Sequence, residues 1–159
     1  MSQGTDIEQL LTEHAPMLAR IAANHEVNLA VREELLQEIS VAVWHGLARF
    51  RGEASVKTYI ARIAHNRCVD HVVREQRHYH PLDTDAPVEQ APETFVSESE
   101  HVRMDLHAAM LRLSLGFRQV IGMQLEGFTQ SEIAQVLGIS EAAVAQRSSR
   151  ARKQLEQWL

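Results

Sequence analysis

The feature that most constrains the fold is a run of helix-start and helix-stop signals near the C-terminal end of the chain. Thr129 and Glu132 have the spacing of a capping box, in which each side chain bonds the backbone N–H of the other residue. Gly138 can adopt the left-handed conformation that ends a helix, and Ser140 can cap the next helix. Two helices joined by such a turn form a helix-turn-helix, so residues 128–155 are predicted to bind duplex DNA.

The second helix of this motif places apolar and polar residues on opposite faces. Its predicted core face consists of Val144, Ala151, Leu155 and Trp158. Its predicted DNA face consists of Gln146, Arg147, Ser149, Arg150 and Lys153. Arginine can bind guanine through two bonds and glutamine can pair with adenine, whereas lysine holds phosphate. A helical hairpin with a solvated basic face is the alternative.

Charge is distributed unevenly along the 159 residues, whose net charge is −5. Residues 79–100 hold six acids and no Lys or Arg, whereas residues 49–77 and 142–159 are basic islands. Basic islands, more than net charge, indicate a phosphate-binding surface. The chain is therefore compatible with nucleic acid as a partner.

The acidic stretch also divides the chain. It contains three of the four prolines and has no helical or strand periodicity, so it is predicted to be a flexible linker at 79–96. No strand alternation or hairpin signal appears on either side of it. The predicted fold is all-α, with two small helical domains at 1–78 and 97–159.

In the first domain, Asp6 is predicted to cap a helix that runs to His14, and Pro16 to begin a second segment. The next helix, at about 31–48, has one apolar face made of Leu35, Leu36, Ile39, Val43 and Leu47. Its opposite face carries Glu34, Gln37, Glu38, Val41 and Trp44. A tryptophan among carboxylates indicates a protein-binding surface. Packing of Trp44 on the first helix is the alternative.

A long helix capped by Ser55 is predicted to reach about Arg77. Its apolar face begins with Val56, Tyr59, Ile60 and Ile63 and then meets Asn66, Arg67 and Asp70. One interpretation is that the polar half contacts nucleic acid. The other is a solvated helix end with an Asp70–Arg74 pair.

Three segments together resemble the extracytoplasmic-function sigma factors of bacterial RNA polymerase, within the sigma-70 family. Residues 34–44 are similar to the family's helix that binds core polymerase. Residues 50–70 closely follow its segment for melting and reading the −10 promoter element. Residues 125–153 resemble its −35-binding domain.

The resemblance implies a sigma factor that binds core polymerase and directs promoter-specific initiation, with residues 1–78 similar to region 2 and residues 97–159 to region 4. The residues it assigns to core polymerase are Glu34, Gln37, Glu38, Val41 and Trp44. Those it assigns to −10 DNA are Phe50, Arg51, Gly52, Arg62, Asn66, Arg67 and Arg74. Those it assigns to −35 DNA are Gln146, Arg147, Ser149, Arg150 and Lys153.

The same resemblance implies core polymerase, promoter DNA and an anti-sigma factor as partners, and neither a cofactor nor catalysis. The sequence departs from the family at Ser114, where proline is usual, and at Ala145 and Ser149, where larger side chains are common. The last two departures remove DNA contacts from the recognition helix. They bear on −35 affinity and not on the fold.

The remaining sequence features limit location and other functions. The chain has one cysteine and no apolar run of the roughly 20 residues that would cross a bilayer, so a cytoplasmic protein without membrane insertion is expected. One alternative is a conventional dimeric helix-turn-helix regulator, which would leave the pattern at 50–70 unexplained. Another is a metal-dependent sensor using His65, Cys68 and His71, whose spacing of three converges poorly on one ion. No metal is therefore expected.

Overall fold

The computed structural model describes residues 2–77 and 98–159, with side chains for 6–77 and 105–159. The prediction of an all-α fold is confirmed for this part of the chain. Its helices are α1 (Ser2–Ala23), α2 (Leu29–Leu47), α3 (Val56–Arg77), α4 (Glu98–Arg112), α5 (Leu115–Leu125), α6 (Gln130–Leu137) and α7 (Glu141–Trp158). None of these helices has the length and apolar character needed to cross a membrane. The predicted linker and the predicted cap at Ser97 lie outside the described residues.

The prediction that Pro16 begins a new segment, after a helix capped by Asp6, is wrong. α1 is one helix of 22 residues with Pro16 inside it. Proline removes the hydrogen bond to the carbonyl of Thr12, but both residues are exposed, so water can bond that carbonyl. Apolar side chains before and after Pro16 pack against the same core, among them Leu10 and Leu18. The stabilisation from this burial outweighs the cost of the hydrogen bond lost at Pro16, so the helix stays continuous.

The predicted core face of α2 and the predicted cap of α3 are confirmed. Leu35, Ile39, Val43 and Leu47 are buried, and Leu36 is partly buried. The side-chain oxygen of Asn28 caps α2 by accepting a bond from the backbone of Val31. Ser55 caps α3, since the backbone N–H of Thr58 donates to its Oγ at 3.1 Å.

The core face of α3 differs from the predicted one. The helix is buried along Thr58, Ile60, Ala61, Ala64, His65, Cys68 and His71. Val56, Tyr59 and Ile63 are only partly buried, so they form the flank of this face. The apolar pattern therefore does not break at Asn66. Small side chains form much of the core face because they allow neighbouring helices to approach closely, and a search for large apolar residues passes over them.

The helix-turn-helix forms as its sequence signals predict. Thr129 and Glu132 make both bonds of the capping box, and Gly138 ends α6 in the left-handed region at φ 68°. The Oγ of Ser140 accepts a bond from the backbone N–H of Ala143 at the start of α7. The motif is thus specified locally.

The N-terminal helices α1–α3 and the C-terminal helices α4–α7 share buried residues. One hydrophobic cluster runs from Met17 and Leu18 through Ala61 to Ile133 and Val144, and α6 packs against α3. A second cluster belongs to the C-terminal helices alone and contains Ala109, Met110, Leu113, Ile121, Ala151 and Leu155. The helix-turn-helix is therefore docked on the N-terminal helices.

Candidate nucleic-acid and protein interfaces

The predicted duplex-binding face of α7 is open to solvent. Four of its five candidate residues, Gln146, Ser149, Arg150 and Lys153, are exposed. Arg147 is half-buried beside α5, where a methyl group added to Gly116 would lie 3.0 Å from its guanidinium. The exposed four can reach the base edges or phosphates of a major groove.

A polar contact that sequence reasoning missed helps to fix α7 on α5. Ser148 is buried, and its hydroxyl exchanges hydrogen bonds with the side-chain amide of Gln124 at 3.0 and 3.1 Å. Helical spacing places Ser148 on the same face as Val144 and Ala151, and this spacing could have identified it. The contact helps to fix the orientation of α7 on α5.

The outward face of α2 carries exposed apolar side chains. Val41 is 56% exposed and Trp44 is 39% exposed. Exposed apolar side chains beside carboxylates are typical of protein-binding surfaces.

A groove of about 1200 Å³ lies on the surface where α2 and α3 pack together. Glu34, Gln37, Glu38 and Val41 of the predicted polymerase-binding set line one side of it, and Asn66 and Arg67 of the predicted −10 set line the other. Parts of the two sets are therefore neighbours across one groove, although Trp44 and the other five −10 candidates are not among the residues that line it.

An aromatic pair holds the loop at the end of this groove. The Phe50 and Tyr59 rings lie 4.9 Å apart with a tilt of 46°, and the Tyr59 hydroxyl donates to the carbonyl of Gly46 at 2.7 Å. Phe50 is half-buried, whereas Arg51 and Gly52 are exposed, with Gly52 at φ +79°. Sequence reasoning missed Gly46, where an added Cβ would press on the end of the Ile63 side chain and require that side chain to shift. Glycine inside a helix costs stability, and this cost is the signal that marks a close approach.

Two predicted −10 residues are engaged by other side chains or backbone. Arg74 donates to Glu38 across the groove at 3.0 Å, and not to Asp70 as the alternative proposed. Arg62 donates to the backbone carbonyl of Gln135 on α6 at 2.9 Å. Asn66 and Arg67 thus line the α2–α3 groove, Arg74 lines a neighbouring pocket that also includes Arg67, and Arg62 is bonded to α6.

The histidines of α3 lie in the interior. The rings of His25 and His65 meet edge to face with centroids 5.7 Å apart. Burial lowers the pKa of His25 to about 4 and that of His65 to about 3. Burial also raises the pKa of Cys68 to about 12, so the thiol is not a nucleophile. Across the residues that the structure describes, no group of three His, Cys, Asp or Glu is placed to hold a metal ion.

Comparisons with known proteins identify two matching families and several relatives. The family model for sigma-70 region 2 matches residues 10–78, and that for sigma-70 region 4 matches residues 103–155. The RNA polymerase sigma factor NccH of Alcaligenes xylosoxydans xylosoxydans is 30% identical, over 92% of this chain and 83% of its own length. The ECF RNA polymerase sigma factor SigM of Mycobacterium tuberculosis is 29% identical, over 96% of this chain and 76% of its own.

Two solved structures are similar. CnrH, in complex with the cytosolic domain of CnrY, is 26% identical with a TM-score of 0.69, covering 95% of this chain and 85% of that one. The sigma factor RpoE of Bartonella quintana, in complex with the anti-sigma factor NepR, has a TM-score of 0.77 and covers 96% of both chains. At 21% identity, the second likeness concerns the fold alone.

Proposed function

Since the chain belongs to the sigma-70 family, as an extracytoplasmic-function sigma factor of RNA polymerase, we propose that three of its surfaces bind different partners during transcription initiation. The outward face of α2 binds core polymerase, the α2–α3 groove and its loop bind the −10 element, and α7 binds the −35 element. The observation that supports the proposal is the groove, which is lined by residues of both candidate sets: Glu34, Gln37, Glu38 and Val41 from α2, and Asn66 and Arg67 from α3. A non-enzymatic role is part of this proposal.

Trp44 is the proposed anchor on core polymerase. Interfaces concentrate their binding free energy in a few buried aromatic or Arg side chains, and an exposed tryptophan beside Val41 supplies one. The carboxylates of Glu34 and Glu38 surround this apolar centre and favour a basic partner surface.

Asn66 is the proposed reader of a −10 base. Its amide can bond the edge of an unstacked base, and it lies in the groove that ends at the Phe50–Tyr59 pair. Enzymes and other proteins that capture single strands use aromatic platforms and nearby cations in this way. Arg67 and Arg74 lie close enough to the groove to hold the strand's phosphates.

The −35 element is the proposed ligand of α7. Gln146 and Arg150 are placed to read bases, and Lys153 to hold phosphate. The alternative of a dimeric regulator leaves the pattern at 50–70 unexplained, whereas the region 2 match covers residues 10–78.

An anti-sigma factor is a further proposed partner. Both structural neighbours are described in complexes, CnrH with the cytosolic domain of CnrY and RpoE with the anti-sigma factor NepR. By analogy, a protein of that class would regulate this chain.

Run-off transcription tests the proposal. Core polymerase and the purified chain together should give discrete transcripts from fragments of the source genome, while each alone should give none. Asn66→Ala should change the base preference at one −10 position, whereas the exposed α1 control Gln9→Ala should not. Absence of any transcript, with core that is active with another sigma factor, would reject the function. An unchanged −10 preference would reject the role of Asn66 alone.

A further inference from the structure

The buried face of α7 consists largely of small side chains. Its residues are Val144, Ser148, Ala151 and Leu155, and Ala151 is fully buried. Small side chains allow α5 and α7 to approach closely. They interlock less than large ones do, and interlocking side chains are what give a packed interface a single arrangement. Apolar packing alone therefore constrains the rotation of α7 about its own axis only weakly.

A hydrogen-bonded pair joins α7 to α5 across this face. The hydroxyl of Ser148 donates to Oε1 of Gln124 at 3.1 Å and accepts from its Nε2 at 3.0 Å. Ser148 is 8% exposed, and Gln124 is half-buried in the last turn of α5. Hydrogen bonds weaken steeply when the distance or the angle leaves a narrow range. The pair therefore favours one rotation of α7 on α5.

Gln124 also contacts the next turn of α7. The guanidinium of Arg152 lies 3.5 Å from Oε1 of Gln124, a longer contact than that of Ser148. Ser148 and Arg152 are four residues apart, so they lie on the same side of the helix. A rotation of α7 that moved one of them away from Gln124 would move both. The two contacts therefore oppose the same motion.

Ser148 lies between two of the candidate DNA-binding residues. Gln146 and Arg150 are each two positions from it along α7, and both are exposed. The outer radius of a helix with its side chains is about 5–6 Å, so a rotation of about 20° moves an outward group by about 2 Å. Base recognition through two bonds requires positions held within about 0.5 Å, whereas a phosphate can be held by a point charge. A rotated α7 would therefore lose base discrimination before it lost its attraction to DNA.

We propose that Gln124 is a positioning residue for base recognition: through Ser148 it sets the rotation of α7 and so directs Gln146 and Arg150 at the −35 bases. Neither Gln124 nor Ser148 belongs to the residues assigned to DNA, and Gln124 lies outside the recognition helix. The choice of −35 sequence then depends on a polar pair beneath that helix. This proposal rests on the proposed function for its assignment of −35 residues.

Two substitutions of Gln124 separate positioning from attraction. Gln124→Leu removes both bonding groups at similar volume, and the freed hydroxyl of Ser148 can bond the carbonyl of Val144 one turn earlier. The preferred promoter should then bind about fivefold more weakly, the factor for one ordinary hydrogen bond, while promoters with one altered −35 base pair bind as before. Gln124→Glu keeps an acceptor for Ser148 and adds negative charge. It should weaken binding to all of these promoters by a similar factor and preserve the discrimination between them.

The measurement uses the full chain assembled with core polymerase. Its probes are a promoter fragment found by run-off transcription and a set of fragments that each carry one changed −35 base pair. Affinities are measured over a salt series, because the salt slope reports the number of phosphates that are held. Gln124→Leu should reduce discrimination and leave the salt slope unchanged. Gln9→Leu, at an exposed position of α1, is the matched control and should change neither.

Ser148→Ala tests whether Gln124 acts through Ser148. Ser148→Ala and Gln124→Leu should each reduce discrimination about fivefold. The double variant should reduce it no further, because the two side chains form one contact. If circular dichroism shows that Gln124→Leu unfolds the C-terminal helices, Ser148→Ala and Gln124→Glu decide the question.

Three results would overturn the proposal. They are unchanged discrimination in the folded variants, a loss of affinity in Gln124→Leu that is equal for preferred and altered promoters, and losses that add in the double variant. Arg150→Ala in the same assay judges the proposed function separately. If Arg150→Ala relaxes a −35 preference, the −35 assignment stands and only the positioning role fails. If the unchanged chain shows no −35 preference, the assignment itself is wrong.

Discussion

Acid should destabilise this protein through the buried pair His25 and His65. The two residues are 6% and 3% exposed, and both His25 Nε2 and His65 Nδ1 are buried without a hydrogen-bond partner. His25 is bonded through Nδ1 to the carbonyl of Ile21 at 2.7 Å, and the cation of Arg118 on α5 is near enough to disfavour a second positive charge. Both rings are therefore neutral in the folded chain.

The direction and the size of this acid destabilisation follow from the two pKa values. Burial lowers the pKa to about 4 for His25 and about 3 for His65, against about 6.5 when unfolded. Below pH 6.5 the unfolded chain binds protons that the folded chain does not, so stability falls as pH falls toward the folded values. At about 1.4 kcal/mol per unit, lowering the pH from 7 to 5 should cost roughly 2 kcal/mol for each ring, or about 4 in all.

Urea denaturation between pH 5 and 7.5, followed by circular dichroism, measures this loss. His65→Gln should remove about half of the pH dependence, whatever it does to stability at neutral pH. His45→Gln, at an exposed position of α2, is the matched control and should leave the dependence unchanged. A free energy of unfolding that stays level over this range, or a slope that His65→Gln leaves intact, would refute the claim that these rings are held neutral by burial.

Three further predictions concern the binding surfaces. Trp44→Ala should weaken core polymerase binding by about 2 kcal/mol or more. Leu29→Ala, which also removes an exposed apolar side chain from α2, should not weaken it. Equal effects of the two substitutions in a pull-down titration would reject Trp44 as the anchor. Arg150→Ala should cost about 1–3 kcal/mol and relax one −35 base preference, while Lys153→Ala should weaken all sequences alike. An unchanged preference would make Arg150 a phosphate contact. Changing the six acids of residues 79–100 to Asn or Gln should raise the duplex affinity of the free chain at low salt, because their carboxylates compete with phosphate. If the variant and the unchanged chain bind duplex equally well, the linker acts only as a spacer.

Sequence signals that act between residues close together in the chain were sufficient to predict much of the fold. The capping box of Thr129, the left-handed Gly138 and the cap at Ser140 each depend on neighbours in the chain, and each forms as predicted. The core face of α2 could be predicted for a similar reason, because four large apolar residues recur at helical spacing.

Contacts between distant segments were beyond prediction. Pro16 stays inside α1 because burial on both sides of it overrides its local preference. The core face of α3 is built from Ala61, Ala64 and Cys68, whose small side chains give a weak periodic signal. The bond from Arg62 to Gln135 joins positions 73 residues apart and uses a backbone acceptor, so no pattern of side chains could reveal it.

Salt tests whether the six acids of residues 79–100 inhibit duplex binding by the free chain. Competition by their carboxylates for the basic surfaces is electrostatic, so it fades as ionic strength rises. DNA binding itself also falls with salt, because neutralised phosphates release counterions. The variant with the six acids changed to Asn or Gln should therefore bind duplex more tightly than the unchanged chain, by a factor that shrinks as salt is added. A factor that stays constant across the salt series would exclude electrostatic competition.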